Sequence, residues 1–163
     1  MTEERTIDYT KQTRTQIINS KTVESLSTTV EFLVKEEHFS SFNAALNVAF
    51  PKGIDTKAPF TVFAPTNAAF SKIAQQSLAW LLGNPAALSR VMKRHLVAGA
   101  VKIPLGRSVM KTVEGSRISL RRTVDEDGLE EVDVRTSSGG SQLDEFDILT
   151  ADGVVHVINT IIL

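Results

Sequence analysis

The chain changes its hydrophobic period twice. From about Val23 the apolar residues recur at helical spacing. Leu26, Val30, Phe32, Leu33 and Val34 make one face, with Glu24, Glu31, Lys35 and Glu36 among the polar positions. A second helix is expected from Ser40 or Ser41, with Phe42, Ala45, Leu46 and Ala49 on one stripe and Pro51 and Gly53 ending it. Phe60–Phe63 is instead aromatic or β-branched throughout, which suits a strand. Pro65 cannot extend a ladder, and Thr66 stands where a helix N-cap belongs, before Asn67, Ala68, Ala69 and Phe70. The stretch Thr61–Phe70 is therefore a buried strand turning sharply into a helix. Short helices are expected over Asn67–Ala74 and Ser77–Leu82. A third starts at Asn84-Pro85 and runs to about His95, with Leu88, Val91 and Met92 inward.

From Leu96 the period becomes two. Val109, Lys111 and Val113 alternate. Ser116–Val124 carries Ile118 and Leu120 on one face, Asp125–Gly128 is a turn, and Leu129–Arg135 returns with Val132 and Val134, which predicts a hairpin. Ser137–Gly140 reads as a loop. Phe146, Ile148 and Leu149 make a strand, Asp152-Gly153 a tight turn, and Val154–Leu163 a final strand. That last run is apolar almost without a break, so it is expected to be buried on both faces and to lie beside Phe60–Phe63. Helices come first and strands last, which indicates an α+β fold. Residues 1–20 are polar, so they read as an extension, and 21–163 as one domain.

Composition narrows function mainly by exclusion. Apolar content of 42%, charged content of 23% and a net charge of −1 describe an ordinary globular domain with no global attraction for nucleic acid. With 0 cysteines, disulfides, thiol chemistry and cysteine-based metal sites are out. No run is long enough to span a bilayer, and the polar N-terminus has no signal-peptide core; the chain is then cytosolic or begins after an export signal. His38, His95 and His156 lack metal-ligand spacing, and the acids of Asp125–Asp133 fail the calcium-loop pattern. Those acids read as a solvated hairpin tip, with Arg121 and Arg122 pairing weakly against them. No nucleophile elbow, P-loop or dinucleotide glycine pattern occurs.

Two blocks carry a resemblance. TVFAPTNAAF, at Thr61–Phe70, resembles the first signature of the fasciclin (FAS1) family, and ILTADGVVHVINTIIL, ending at Leu163, resembles its second. RHLVAGAV, from Arg94, lies where the family has a Tyr-His segment. The resemblance covers about Val23 to Leu163, as a single-domain, bacterial-type member. It implies a wedge-shaped β-sandwich with a layer of short helices and no cofactor. It also implies a monomeric, non-enzymatic adhesion module in an extracellular, periplasmic or cell-surface setting. The partner would be a cell-surface or matrix macromolecule, met through protein or polysaccharide contacts; the alternative is a carrier of an apolar pigment or lipid in a groove between helices and sheet.

The signature positions that match are Thr61, Phe63, Ala64, Pro65, Thr66, Asn67, Phe70, His95, Gly153, His156 and Asn159, and a structural role is expected for them. His95 is expected to hydrogen-bond the turn at Pro65–Asn67, and Phe63 and Phe70 to pack beside Val155 and Val157. His156 is expected as a satisfied interlayer histidine. Arg94 replaces the family's Tyr, which weakens transfer of a Tyr-His receptor contact. Asp147-Ile148 resembles an integrin-recognition pair of animal members; read from alternation alone, Ile148 is core and Asp147 brackets a turn. Arg94, His95, Asp147 and Ile148 are the candidate interaction residues.

Overall fold

The computed structural model describes residues 27–54 and 57–163; Val23–Leu26 and the expected extension over residues 1–20 lie outside the described residues. The order of elements is α1 (Thr29–Lys35), a 3₁₀ turn (Glu37–Phe39), α2 (Ser40–Ala49), β1 (Phe60–Pro65), α3 (Asn67–Phe70), α4 (Gln75–Leu82), α5 (Pro85–Lys93), β2 (Leu96–Ala98), β3 (Gly106–Lys111), β4 (Arg117–Val124), β5 (Glu130–Thr136), β6 (Gly139–Thr150) and β7 (Gly153–Ile158). The fold is α+β.

One seven-stranded sheet runs β2-β1-β7-β6-β5-β4-β3. All neighbours are antiparallel except β1 and β7, which pair in parallel from Phe60↔Gly153 to Pro65↔Ile158. The sheet is curled. β6 is the shared strand: its end nearer Gly139 pairs with β5 and its end nearer Thr150 with β7, with register irregularities between Leu143 and Ile148. Asp147 lies in that irregular stretch at φ 59, a left-handed conformation that Asp tolerates better than most residues. Phe146 and Ile148, two apart, consequently serve different cores.

The curl explains the double-sided burial of β1 and β7. On one face Phe60, Val62, Ala64, Val155 and Val157 meet Phe42, Leu46, Phe70, Leu88 and Met92 of the helical layer. On the other, Phe63 and Ile158 meet Ile118, Leu120, Val132, Val134 and Phe146 from the far half of the sheet. Every residue of both strands is buried. Phe70 thus joins Val155 and Val157 as expected, whereas Phe63 does not; alternation turns it to the opposite face.

Local chemistry sets the helix starts. Thr28 and Glu31 form a reciprocal capping box on α1. Asp152, in the β6–β7 turn, accepts from the Thr29 N–H at 2.8 Å and its hydroxyl at 2.9 Å. Thr66 Oγ accepts from the Ala69 N–H at 3.2 Å, as its position before α3 requires.

Several sequence expectations shift. Val30 and Val34 are exposed, because α1 is short and docks only through Thr29, Phe32 and Leu33. In β3 it is Met110 that is buried, with Val109 facing water. Gly139 and Gly140 are not loop but the first residues of β6, paired with Thr136 and Arg135. The final strand ends at Ile158, and Ile161 and Ile162 are buried beyond it without strand pairing.

Candidate functional site

Two buried nodes lie beneath the signature segments, each centred on a fully buried histidine.

The first node is His95, just past α5. The sequence expectation that it bonds the Pro65–Asn67 turn is not met. Its Nδ1 lies 2.9 Å from the Val91 carbonyl, one helical turn back, and its Nε2 accepts from the Ile162 N–H at 3.0 Å. The backbone donor fixes the tautomer: Nδ1 carries the proton and donates to Val91. His95 therefore ties the end of α5 to the C-terminal run, with its ring against Phe42 at 5.9 Å between centroids. Asn67 has another task. Its Oδ1 accepts from the Ser41 N–H at 2.9 Å, and its amide donates to the Glu37 carbonyl and Ser40 Oγ. Helix α2 has no cap from its own preceding residue, so Asn67 supplies one from across the fold.

The second node is His156 on β7. Its Nδ1 accepts from the Asp147 N–H at 2.9 Å, and so Nε2 donates to the Val101 carbonyl at 2.9 Å. This is the opposite tautomer to His95. The ring stands 5.1 Å from Phe63 between centroids. Asp147 Oδ1 accepts from the Ile103 N–H at 2.9 Å, and Oδ2 lies 3.3 Å from Arg122. The Arg122 guanidinium also donates to the Ile103 carbonyl, pairs with Glu130, and stacks 4.7 Å over the Phe146 ring. Thr61, fully buried on β1, completes the region: its hydroxyl donates to the Gly99 carbonyl at 2.6 Å and accepts from the Val101 N–H at 2.8 Å.

Both histidines are held neutral. Burial lowers each pKa from 6.5 to about 4, and for each it is the largest cause. The hydrogen bonds give a local reason. Protonating either acceptor nitrogen would set a new N–H against a backbone N–H.

Arg122 was legible only as a hairpin-surface charge, yet alternation places it on the inward face with Ile118 and Leu120. Its long side chain bridges β4 to β6 and covers Phe146. Arg121, its neighbour, points outward. The remaining candidates are dispersed. Ile148 is core; Asp147 is 19% exposed and turned to Arg122; Arg94 is 25% exposed and pairs with Glu114 at 3.3 Å. Asn159 pairs back onto Gln142 through backbone and side chain and accepts from Lys72 through its carbonyl. Among the described residues no three His, Asp or Glu side chains gather as a metal site would require.

The second node yields a graded test. Asp147→Ala removes the acceptor for Ile103 and a partner of Arg122 and puts Ala in the left-handed region; a loss of about 2–3 kcal/mol is expected. Asp147→Asn keeps an acceptor and tolerates the conformation, so about 1 kcal/mol is expected. Urea unfolding of both variants measures the difference, and equal losses would show that the side chain's acceptor role is not what matters.

Residues 37–163 match the family model of the fasciclin domain. An uncharacterized protein of Synechocystis sp., sll1735, is 34% identical over 137 residues, which span 82% of this chain and 96% of that one. Human periostin is 29% identical over 136 residues, 82% of this chain and 15% of periostin. Among solved structures, the FAS1 domain pair of the insect cell adhesion molecule Fasciclin I superposes with a TM-score of 0.55 at 12% identity, over 82% of this chain and 43% of that one. The chain thus spans nearly all of one relative and a small part of the other.

Proposed function

The chain belongs to the fasciclin family, and from that premise we propose that it is an adhesion and interaction module, binding another macromolecule at a cell surface or in a matrix. The observation that carries this reading is the inward commitment of the signature residues. Thr61, Thr66, Asn67, His95, His156 and Asn159 each spend their side-chain hydrogen bonds within the domain. The signature blocks build a scaffold, and a partner is read by the outer faces.

The setting we infer is extracellular, periplasmic or cell-surface, with the domain acting as a monomer and without cofactor or catalysis. No helix among the described residues is long and apolar enough to cross a membrane. Of the candidate contact residues, Arg94 and Asp147 keep part of their side chains at the surface, while His95 and Ile148 do not. Arg94 is the more exposed of the two. The apolar-carrier alternative would need room between helices and sheet, where Phe42, Phe70, Leu88 and Met92 already pack against Val62, Val155 and Val157.

The test is retention of labelled, purified domain on intact cells and on matrix-coated plates. Saturable retention, with no pigment or lipid in an organic extract of the protein, is the expected result. An extract containing a stoichiometric apolar molecule, with no retention on any surface, would overturn the reading in favour of the carrier.

A further inference from the structure

The outer face of the β3–β6 half of the sheet is unlike the rest of this nearly neutral chain. Strand register lines up two rows across it. Arg107, Arg121, Asp133 and Gln142 are successive cross-strand partners in one row, and Val109, Ser119, Arg135 and Gly140 in the next. Lys111 and Arg117 pair with one another beyond them. Directly opposed residues on neighbouring strands sit about 5 Å apart, and diagonal ones about 7–8 Å. Arg107, Lys111, Arg117, Arg121 and Arg135 are all exposed on one surface, against Asp133 and Glu131. Two like charges directly opposed, as in Arg107–Arg121 and Lys111–Arg117, disfavour the pairing unless something neutralises them.

These cations have no internal use. Among the described residues none of the five lies within 4.0 Å of a carboxylate, in contrast to Arg122 and Arg94. Asp133 is engaged instead by the Gln142 amide at 3.0 Å. The rows line an open depression of about 540 Å³, bounded by Arg107, Arg121, Arg135, Ser119, Ser141 and Gln142.

We propose that this face binds a polyuronate, an acidic polysaccharide carrying carboxylates on a hydroxyl-rich chain. The proposal rests on the adhesion reading above and names its partner class. Guanidinium forks match carboxylates in bidentate geometry. Ser119, Gln142 and Asp133, interleaved with the arginines, supply donors and acceptors for sugar hydroxyls. Nucleic acid fits less well. The face has no aromatic side chain on which a base could stack and no helix to enter a groove.

Immobilised polygalacturonate is the probe, with neutral dextran and duplex DNA of matched length as comparators. The intact protein should be retained on polygalacturonate and not on dextran, and affinity should fall at least about tenfold between about 50 mM and about 300 mM sodium chloride. The double variant Arg121→Ser, Arg135→Ser, with an unchanged circular dichroism spectrum, should bind at least about tenfold more weakly. Absence of retention at low salt, unaltered binding by the variant, or tighter binding of DNA at the same face would each overturn the proposal. The intact protein is also taken to the cell and matrix plates. Retention there without polygalacturonate binding removes this face and leaves the adhesion module standing; absence of retention on every surface, polygalacturonate included, removes both.

Discussion

Replacing Gly153 by alanine should cost more than about 4 kcal/mol, and replacing it by valine should leave no folded protein at ordinary temperature. Gly153 opens β7 opposite Phe60, and a Cβ built on it would lie 1.8 Å from the Phe60 carbonyl oxygen and 2.9 Å from its carbon. Both atoms are backbone, so no side chain can swing aside. Relief would need β1 and β7 to separate by more than an ångström, yet both strands are packed on both faces, by helices on one side and by the far half of the sheet on the other. The loss is comparable to the whole stability of a typical domain. Gly115 is the control: its φ is 110 but nothing lies within 4 Å of its virtual Cβ, so Gly115→Ala should cost about 1 kcal/mol through backbone strain alone. Thermal and urea unfolding, with soluble yield, read out both. A Gly153→Ala variant within about 1 kcal/mol of the parent would mean that the strands can part, contrary to the close approach seen here.

The second large effect is a loss of stability in mild acid. His95 and His156 have pKa values of about 4 when folded, below the 6.5 of an unperturbed histidine. Above pH 6.5 both states hold the rings neutral and pH has no leverage. Between 6.5 and 4 the unfolded chain takes up protons that the folded chain refuses, so stability falls as pH falls. The slope approaches about 1.4 kcal/mol per pH unit for each histidine. Across the window each contributes a loss of about 3 kcal/mol, and the loss levels off below pH 4, where the folded rings also charge. The surrounding charges do not rescue the imidazolium. Asp147, 3.8 Å from His156, favours the charged form but is outweighed by burial, and Arg94 beside His95 opposes it. Urea midpoints at pH 7.5, 6.5, 5.5 and 4.5 measure the trend. His156→Gln, which removes one titration, should roughly halve the slope. A flat profile down to pH 4.5 would mean that the rings titrate normally.

The two apolar strands announced themselves because double-sided burial leaves no polar position to disguise them. That pattern predicted both their adjacency and their central place. Helix starts were equally plain at Thr66, whose hydroxyl caps α3, and at Asn84-Pro85, where the proline marks the first turn although the Asn84 side chain makes no cap bond. What the sequence conceals is direction. Asn67 and His95 both belong to recognisable blocks, and pairing them was natural, but the Asn67 amide leaves its helix toward α2 while the His95 ring turns back on its own helix. A histidine four residues after Val91 carries a hint of that local bond. The Arg122 network was concealed differently. Charge suggested the surface, while the alternation of Ile118, Leu120 and Arg122 placed it inside; period outranks polarity when a long side chain can carry its charge to a partner. The arginine face needed register, since Arg107, Arg121 and Arg135 are scattered along the chain and meet only across strands.

The parallel contact between β1 and β7 also bears on the order in which the molecule can assemble. Its partners are separated by most of the domain, and β7 enters between β1 and β6 rather than at an edge. A nascent chain that has not yet exposed Gly153–Ile158 holds two pieces with no strand pairing between them, a helical layer with β1 and β2 and a meander of β3 to β6, touching only at contacts such as Val113 N–H to the Leu96 carbonyl and Arg94 to Glu114. Neither has its apolar faces covered. Closure of the sheet therefore waits for β7, and the loop-closure entropy over that span slows the step that joins β1 to β6. Until that step, the segments most prone to pair with other chains are the ones that later identify the family.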